Sequence, residues 1–252
     1  MRGIYNAAGS MLVNQVRLEN ISNNLANLNT PGYKRSEVVV GAFPEILLHR
    51  IEKNSNGRTN LFLSGIAAEN IAVEDIFHVH TGGALRSTDR LLDLALQGEG
   101  FFVLETPDGL RFGRDGHFKL NGEGVLVNSQ GFPLLGEAGV ITIEAGQPMV
   151  DREGNVYDNG KRVDRLRLLA FASHDSLFKD GYGLFQAGPG VIPQQAEDTV
   201  IFQGFLEESN ADLSRQMTDM LKVRRSYEAA QKISQAYDRM LSRAANELGS
   251  LR

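Results

Sequence analysis

The chain has 252 residues, a formal net charge of −5, no cysteine and no tryptophan. The acidic balance argues against nucleic acid as the main partner, because phosphate binding needs a basic face, and the lack of cysteine excludes disulfides and thiolate metal sites. No apolar run approaches the roughly 20 residues of a membrane helix, and the start lacks the charged, apolar and small-residue blocks of a signal peptide. The expectation is therefore no membrane insertion, in a chain that is cytoplasmic or exported without a cleaved signal.

The first predicted element runs from Ile4 to Leu28. Ile4, Met11, Leu18 and Leu25 are seven apart, and Ala7, Asn14, Ile21 and Leu28 follow each by three. That is the a/d pattern of a coiled-coil seam. The helix is expected to stop near Asn29, because Pro31 holds Thr30 extended and Pro31-Gly32 suits the centre of a type II turn. Asn20, Asn23, Asn24, Asn27 and Asn29 crowd its last turns, although asparagine is a mediocre helix former. Two readings follow: a frayed, solvated end, or amides that hydrogen-bond to neighbouring chains.

Gly32 to about Ala42 then reads as a short strand or extended arm through Val38-Val39-Val40, Phe43 to Arg50 as one or two helical turns, and Asn54 to Asn60 as a loop. Val73 to Val79 alternates loosely, as a strand does. Leu92, Leu94 and Leu96 alternate with Asp93, Ala95 and Gln97; Gly98-Glu99-Gly100 turns into Phe101 to Leu104, and Pro107-Asp108-Gly109 makes a hairpin back through Leu110 to Phe112. Short strands follow at His117–Leu120, Val125–Asn128, Leu134–Leu135, Val140–Ile143, Met149–Val150, Asn155–Tyr157 and Leu166–Phe171, separated by turns such as Asn121-Gly122 and Asn159-Gly160. This rhythm predicts an antiparallel meander, sandwich or small barrel. Residues 181–197, rich in Gly, Pro and Gln, read as an extended return arm.

The last predicted element lies within Leu206 to Leu251. Leu213, Met220, Tyr227, Leu241 and Leu248 share one heptad position, with Ser234 as its polar member; Val223, Ala230, Tyr237, Ala244 and Leu251 form the second. Met217, Ile233 and Met240 widen the stripe beyond what one partner helix covers. Ser209 or Asn210 is the expected N-cap, with Asp212 in the first turn, Glu207 and Glu208 adding negative charge to the helix start, and Gly249 as the C-cap. Roughly 38 residues at about 1.5 Å each make a rod about 57 Å long.

No pattern of catalytic chemistry stands out. Gly98-Glu99-Gly100 lacks the third glycine and following helix of a dinucleotide fingerprint. His78 and His80 have no third ligand at metal-site spacing, and no serine sits in a nucleophile elbow. The expectation is no enzyme, no cofactor and no metal. The fold class is α+β. Residues 1–34 and 204–252 form a helical assembly domain, 35–75 and 186–203 connecting arms, and 76–185 a β-rich domain.

Three blocks then carry a resemblance. SNNLANLNTPGYKR from Ser22 to Arg35, LDLALQGEGFFVLETPDGLRFGRDGHFKLNGEGVLVNSQGFPLLG from Leu92 to Gly136, and GFLEESNADLSRQMTDMLKVRRSYEAAQKISQAYDRML from Gly204 to Leu241 resemble bacterial flagellar rod and hook proteins. The likeness is to the FlgF/FlgG type, with length and residues 41–90 nearer FlgF. Its first motif falls on Asn23, Asn24, Leu25, Asn27, Thr30, Pro31, Gly32 and Tyr33. The resemblance implies that the terminal helices pair into a coiled-coil-like inner domain and that the β domain faces outward. It also implies that copies stack, with other rod and hook subunits, into a hollow tube carrying torque from motor to hook. Export would be through the flagellar type III apparatus, and the place of work the flagellar basal body. Met11, Leu18, Ile21 and Leu25 are expected to pack on Leu213, Met220, Val223 and Tyr227, within a subunit or between neighbours. The rival expectation is a secreted adhesin-like module, a β domain on a coiled-coil stalk, which would form a discrete oligomer rather than an open polymer.

Overall fold

The computed structural model describes residues 2–42, 46–53, 59–67, 71–144, 148–196 and 198–249. Its architecture is α+β, with helix α1 at Arg2–Ala26, helix α2 at Leu213–Gly249 and a β-rich region between them. The chain divides into two units. One holds Met1–Asn23, Ser36–Phe77 and Ser214–Arg252; the other holds Asn24–Arg35 and His78–Leu213.

In the first unit, α1 buries Ala7, Val13, Asn14 and Ile21. Ile4, Met11 and Leu18 are half-buried beside them. A methyl group added at Gly3 would collide with the ring of Tyr237, so these two residues of α1 and α2 touch. Strand Ser36–Ala42 pairs with Ile71–His78, and Ile46–Lys53 pairs with Thr59–Ala67 across a register shift at Leu48/His49. The expected helical turns over Phe43–Arg50 are thus corrected: Ile46 onward is a strand, and residues 43–45 lie outside the described ones. An apolar run this short does not discriminate a strand from a helix. Of the expected loop at Asn54–Asn60, residues 54–58 also fall outside the described ones, and Thr59 and Asn60 already belong to a strand.

The second unit is built on a six-stranded antiparallel sheet. Its strand order is Leu177–Lys179, Phe185–Ala187, Gly109–Gly113, Phe101–Thr106, Leu168–Ala170 and Gln194–Gln195. Side chains alternate across a strand, so Phe102 and Leu104 enter one apolar cluster while Phe101 and Val103 enter another. Burial on both faces explains the unbroken apolar run. Two strands of this sheet lie inside the segment expected to be an extended return arm, which corrects that expectation.

Leu94–Gln97 pairs with Val200–Gln203 instead of with the Phe101 strand, so Gly98-Glu99-Gly100 carries the chain from one sheet to another. The expected alternation there fails, since Leu94, Ala95 and Leu96 are all buried. Two turns form as their residues dictate. Gly109 takes φ +103 at the end of the Pro107-Asp108 hairpin, and Asn159 and Gly160 take φ +50 and +76, the signs of a type I′ turn, between paired Asp158 and Lys161.

Candidate functional site

α1 ends at Ala26, earlier than expected, because the asparagines turn the chain before the proline does. Leu28 N–H donates to the Leu25 carbonyl and Thr30 N–H to that of Asn27, at 3.4 and 3.2 Å. Leu28 is therefore a turn residue and not a helical seam position. The next four residues close the expected type II turn: Tyr33 N–H donates to the Thr30 carbonyl at 3.3 Å, and Gly32 takes φ +65. A side chain at Gly32 would also strike the backbone of Arg114.

That turn delivers Lys34 into a buried ion cluster. Lys34 Nζ donates to Glu207 Oε1 at 2.5 Å and to the Thr81 carbonyl at 2.8 Å. Arg114 Nη1 reaches Glu207 Oε2 at 3.4 Å, its Nη2 donates to the Gly98 carbonyl, and its guanidinium lies 5.0 Å from the centre of the Phe101 ring. Gly83 N–H also donates to Glu207 Oε1, and Gly32 N–H to the Glu207 carbonyl. The three charged side chains are 0–3% exposed. Burial pulls both cations below their ordinary pKa, and Glu207 opposes that pull. The carboxylate thus neutralises two cations and ties its own strand to three other stretches of the second unit, at Lys34, Gly83 and Arg114.

Asn210 completes the tie. Its Oδ1 accepts from Arg35 N–H at 2.8 Å and its Nδ2 donates to the Val79 and Thr81 carbonyls. These contacts correct three expectations. Asn210 is not an N-cap, since α2 begins at Leu213 and the asparagine amide is used elsewhere. Ser209 Oγ accepts from Ala211 N–H, ahead of the helix. Glu207 does not serve the helix dipole but sits in strand Phe205–Glu207, paired with Leu85–Ser87.

The asparagine run also finds partners within the chain. Asn24 is buried and its Oδ1 accepts from the Tyr33 hydroxyl at 3.1 Å; Asn27 Oδ1 accepts from the Thr30 hydroxyl; Asn20 Nδ2 donates to Ser36 Oγ at 2.8 Å. Asn23, Leu25 and Pro31 share this stretch with them.

The expected seam residues divide. On α1, Ile21 is buried, and Ile4, Met11, Leu18 and Leu25 are half-buried; on α2, Met220, Val223 and Tyr227 are half-buried around buried Gln216 and Ala230. Leu213, Tyr237 and Leu241 are exposed. Leu28 and Leu213 help line a hollow of about 630 Å3 with Pro31, Arg86, Leu206 and Glu208.

Sequence reasoning did not find Lys34, Arg114 or the role of Glu207. The one available signal was that Lys34 follows the Thr30–Tyr33 turn directly. Among the described residues no group of three or more His, Asp or Glu is arranged to hold a metal ion, and no helix is long and apolar enough to cross a membrane.

Three family descriptions match in chain order: "Flagella basal body rod protein" over residues 4–34, "Flagellar hook protein FlgE/F/G D1 domain" over 95–158, and "Flagellar basal body rod FlgEFG protein C-terminal" over 203–248. The chain is 32% identical to the flagellar hook-basal body complex protein FlhO of Bacillus subtilis over 100% of both chains. It is 31% identical to the flagellar basal-body rod protein FlgG of the same organism over 98% of each. It is also 31% identical to the rod protein FlgF of Caulobacter vibrioides, over 93% of this chain and 92% of that one. Equal identity to an FlgG and an FlgF leaves the lean towards FlgF without support.

Proposed function

Because this chain belongs to the flagellar basal-body rod and hook family, we propose that it is a structural subunit of the basal-body rod whose terminal segments drive assembly. It works by shape and contact rather than by catalysis. Residues 1–34 and 204–252 form the assembly part and residues 76–185 the outer part. Copies of this chain and of other rod and hook subunits are the partners. Contacts that do not close into a ring generate a filament, and that filament transmits torque. The chain reaches the basal body through the flagellar export apparatus, without a cleaved signal and without binding nucleic acid.

The observation that carries this reading is the family likeness along the whole chain, taken with a helix whose apolar stripe is only partly covered. Gly3 against Tyr237, and the half-buried positions Met11, Leu18, Met220, Val223 and Tyr227, support a coiled-coil-like pairing of α1 with α2. The test places a charge in that seam. Leu25→Asp or Met220→Asp is expected to abolish motility while leaving the β-rich unit folded, as read by circular dichroism of the purified protein. A Leu25→Asp strain that still swims would refute this assignment of the seam.

A further inference from the structure

Near the buried ion cluster, residues 78–83 lie on the second unit with three histidines. His80 stacks on His174 at 4.5 Å, 18° from parallel, and meets Phe185 and Phe101 at 5.1 and 5.8 Å. His78 meets Phe185 edge-on at 5.6 Å and His80 at 6.5 Å. Among the described residues, neither ring nitrogen of His80 finds a hydrogen-bond partner in the protein, nor does Nδ1 of His78, although these atoms are buried. A buried polar atom left unsatisfied costs stability. A phenylalanine would fill the same aromatic space without that cost, so the imidazoles require a reason for being there.

The charges around them supply one. Lys179 faces His78, and Lys34 and Arg114 face His80 together with His174 and His78. The anions nearby are engaged by these cations: Glu207 holds Lys34 and Arg114, Glu99 acts on Arg114, and Asp180 acts on Lys179. Lys179 also lies over the ring of Tyr33 at 3.9 Å. A proton added to His78 or His80 therefore enters a cationic, apolar place.

We propose that His78 and His80, packed against His174 and Phe185, form an acid-sensitive latch, which holds residues 78–83 on the β-rich unit while those two imidazoles are neutral and releases them when they are protonated. The segment's other ties include the strand pairing that ends at His78, Val79 N–H donating to the Arg35 carbonyl at 2.9 Å, Gly83 N–H donating to Glu207 Oε1, and the Val79 and Thr81 carbonyls accepting from Asn210 and Lys34. Arg35 and His78 are also where the chain passes between its two units.

The direction follows from linkage. Docking holds His78 at about 4 and His80 at about 3, through burial first and the neighbouring cations second. An undocked imidazole titrates near its ordinary value of about 6.5. The docked form therefore binds fewer protons, so docking is strongest above about pH 6.5 and weakens as pH falls towards 3. Between pH 7 and 4.5 the ratio of released to docked segment rises on the order of a thousandfold.

The test is hydrogen exchange on the full chain at pH 7 and 4.5, corrected for intrinsic rates, beside the double variant His78→Phe/His80→Phe. In the parent, the Val79 and Gly83 amides are expected to lose protection at pH 4.5 while the Phe101–Thr106 amides keep theirs. In the variant, Val79 and Gly83 are expected to stay protected. Unchanged protection in the parent overturns the latch. Equal loss in the variant overturns it too, since the release would then not need these imidazoles. If the variant does not fold, imidazole resonances of the parent decide. Midpoints of His78 and His80 well below 6.5 that coincide with the loss of protection uphold the proposal; midpoints near 6.5, or titration without loss of protection, defeat it.

Discussion

In the Phe101–Thr106 strand, Phe101, Phe102 and Val103 are 0% exposed, whereas on α2 Met217, Leu221, Ile233 and Met240 are 54, 58, 51 and 59% exposed. The side chains are of one chemical kind and the chain covers only the first set. In the strand, both faces are closed by other strands of the same unit. Along α2, the stripe from Gln216 through Met220, Val223, Tyr227 and Ala230 to Ser234 is sheltered, while Leu213, Met217 and Leu221 on one flank and Ile233 and Met240 on another are not. Burying an apolar side chain of this size is worth roughly 1.5–3 kcal/mol. The β-rich region has already gained that stabilisation, and the exposed residues of α2 have not. The contrast separates residues that specify the fold from residues that the proposed function assigns to assembly.

The largest expected effect breaks the first side of the contrast. Glu207→Ala leaves Lys34 and Arg114 buried without their shared carboxylate, and breaking a buried pair in this way costs about 3–5 kcal/mol. Chemical denaturation of the purified protein checks this, with the midpoint falling at unchanged slope. A loss below about 1 kcal/mol would mean that the cluster is as weak as a surface ion pair and does not tie the unit together.

The sequence revealed the two regions unequally. The helices, the Thr30–Tyr33 turn, the Asn159-Gly160 turn and the Phe101–Phe112 hairpin were legible because each depends on neighbours a few residues away. Lys34 and Glu207 were not, since the partners are 173 residues apart and neither motif points to the other. Glu207 beside Glu208 near a helix start suggested dipole compensation, and a tertiary contact overrode it. The strand Phe185–Ala187 is not legible because glycine and proline on either side read as an extended return arm, and its place in the six-stranded sheet comes from pairing with distant Phe112. The apolar face of α2 was legible as a stripe, but which part of it remains open depends on what covers it.

A smaller effect sharpens the second side. Met240→Ser replaces an exposed residue, so the purified chain's stability should change by no more than about 0.5 kcal/mol. Under the proposed assembly, motility should nevertheless fall. Loss of stability without loss of motility would assign Met240 to the fold instead.

The central claim, that α2 completes its environment only among other copies, is tested most directly by hydrogen exchange along the chain, first isolated and then in assembled rods. In the isolated protein, the amides of Phe101–Thr106 should exchange only through global unfolding, while those from Tyr237 to Gly249 should exchange near intrinsic rates, because a helix with an uncovered apolar face is marginal in water. In rods, the Tyr237–Gly249 amides should become strongly protected. Equal protection of both segments in the isolated chain, unchanged on assembly, would contradict the account.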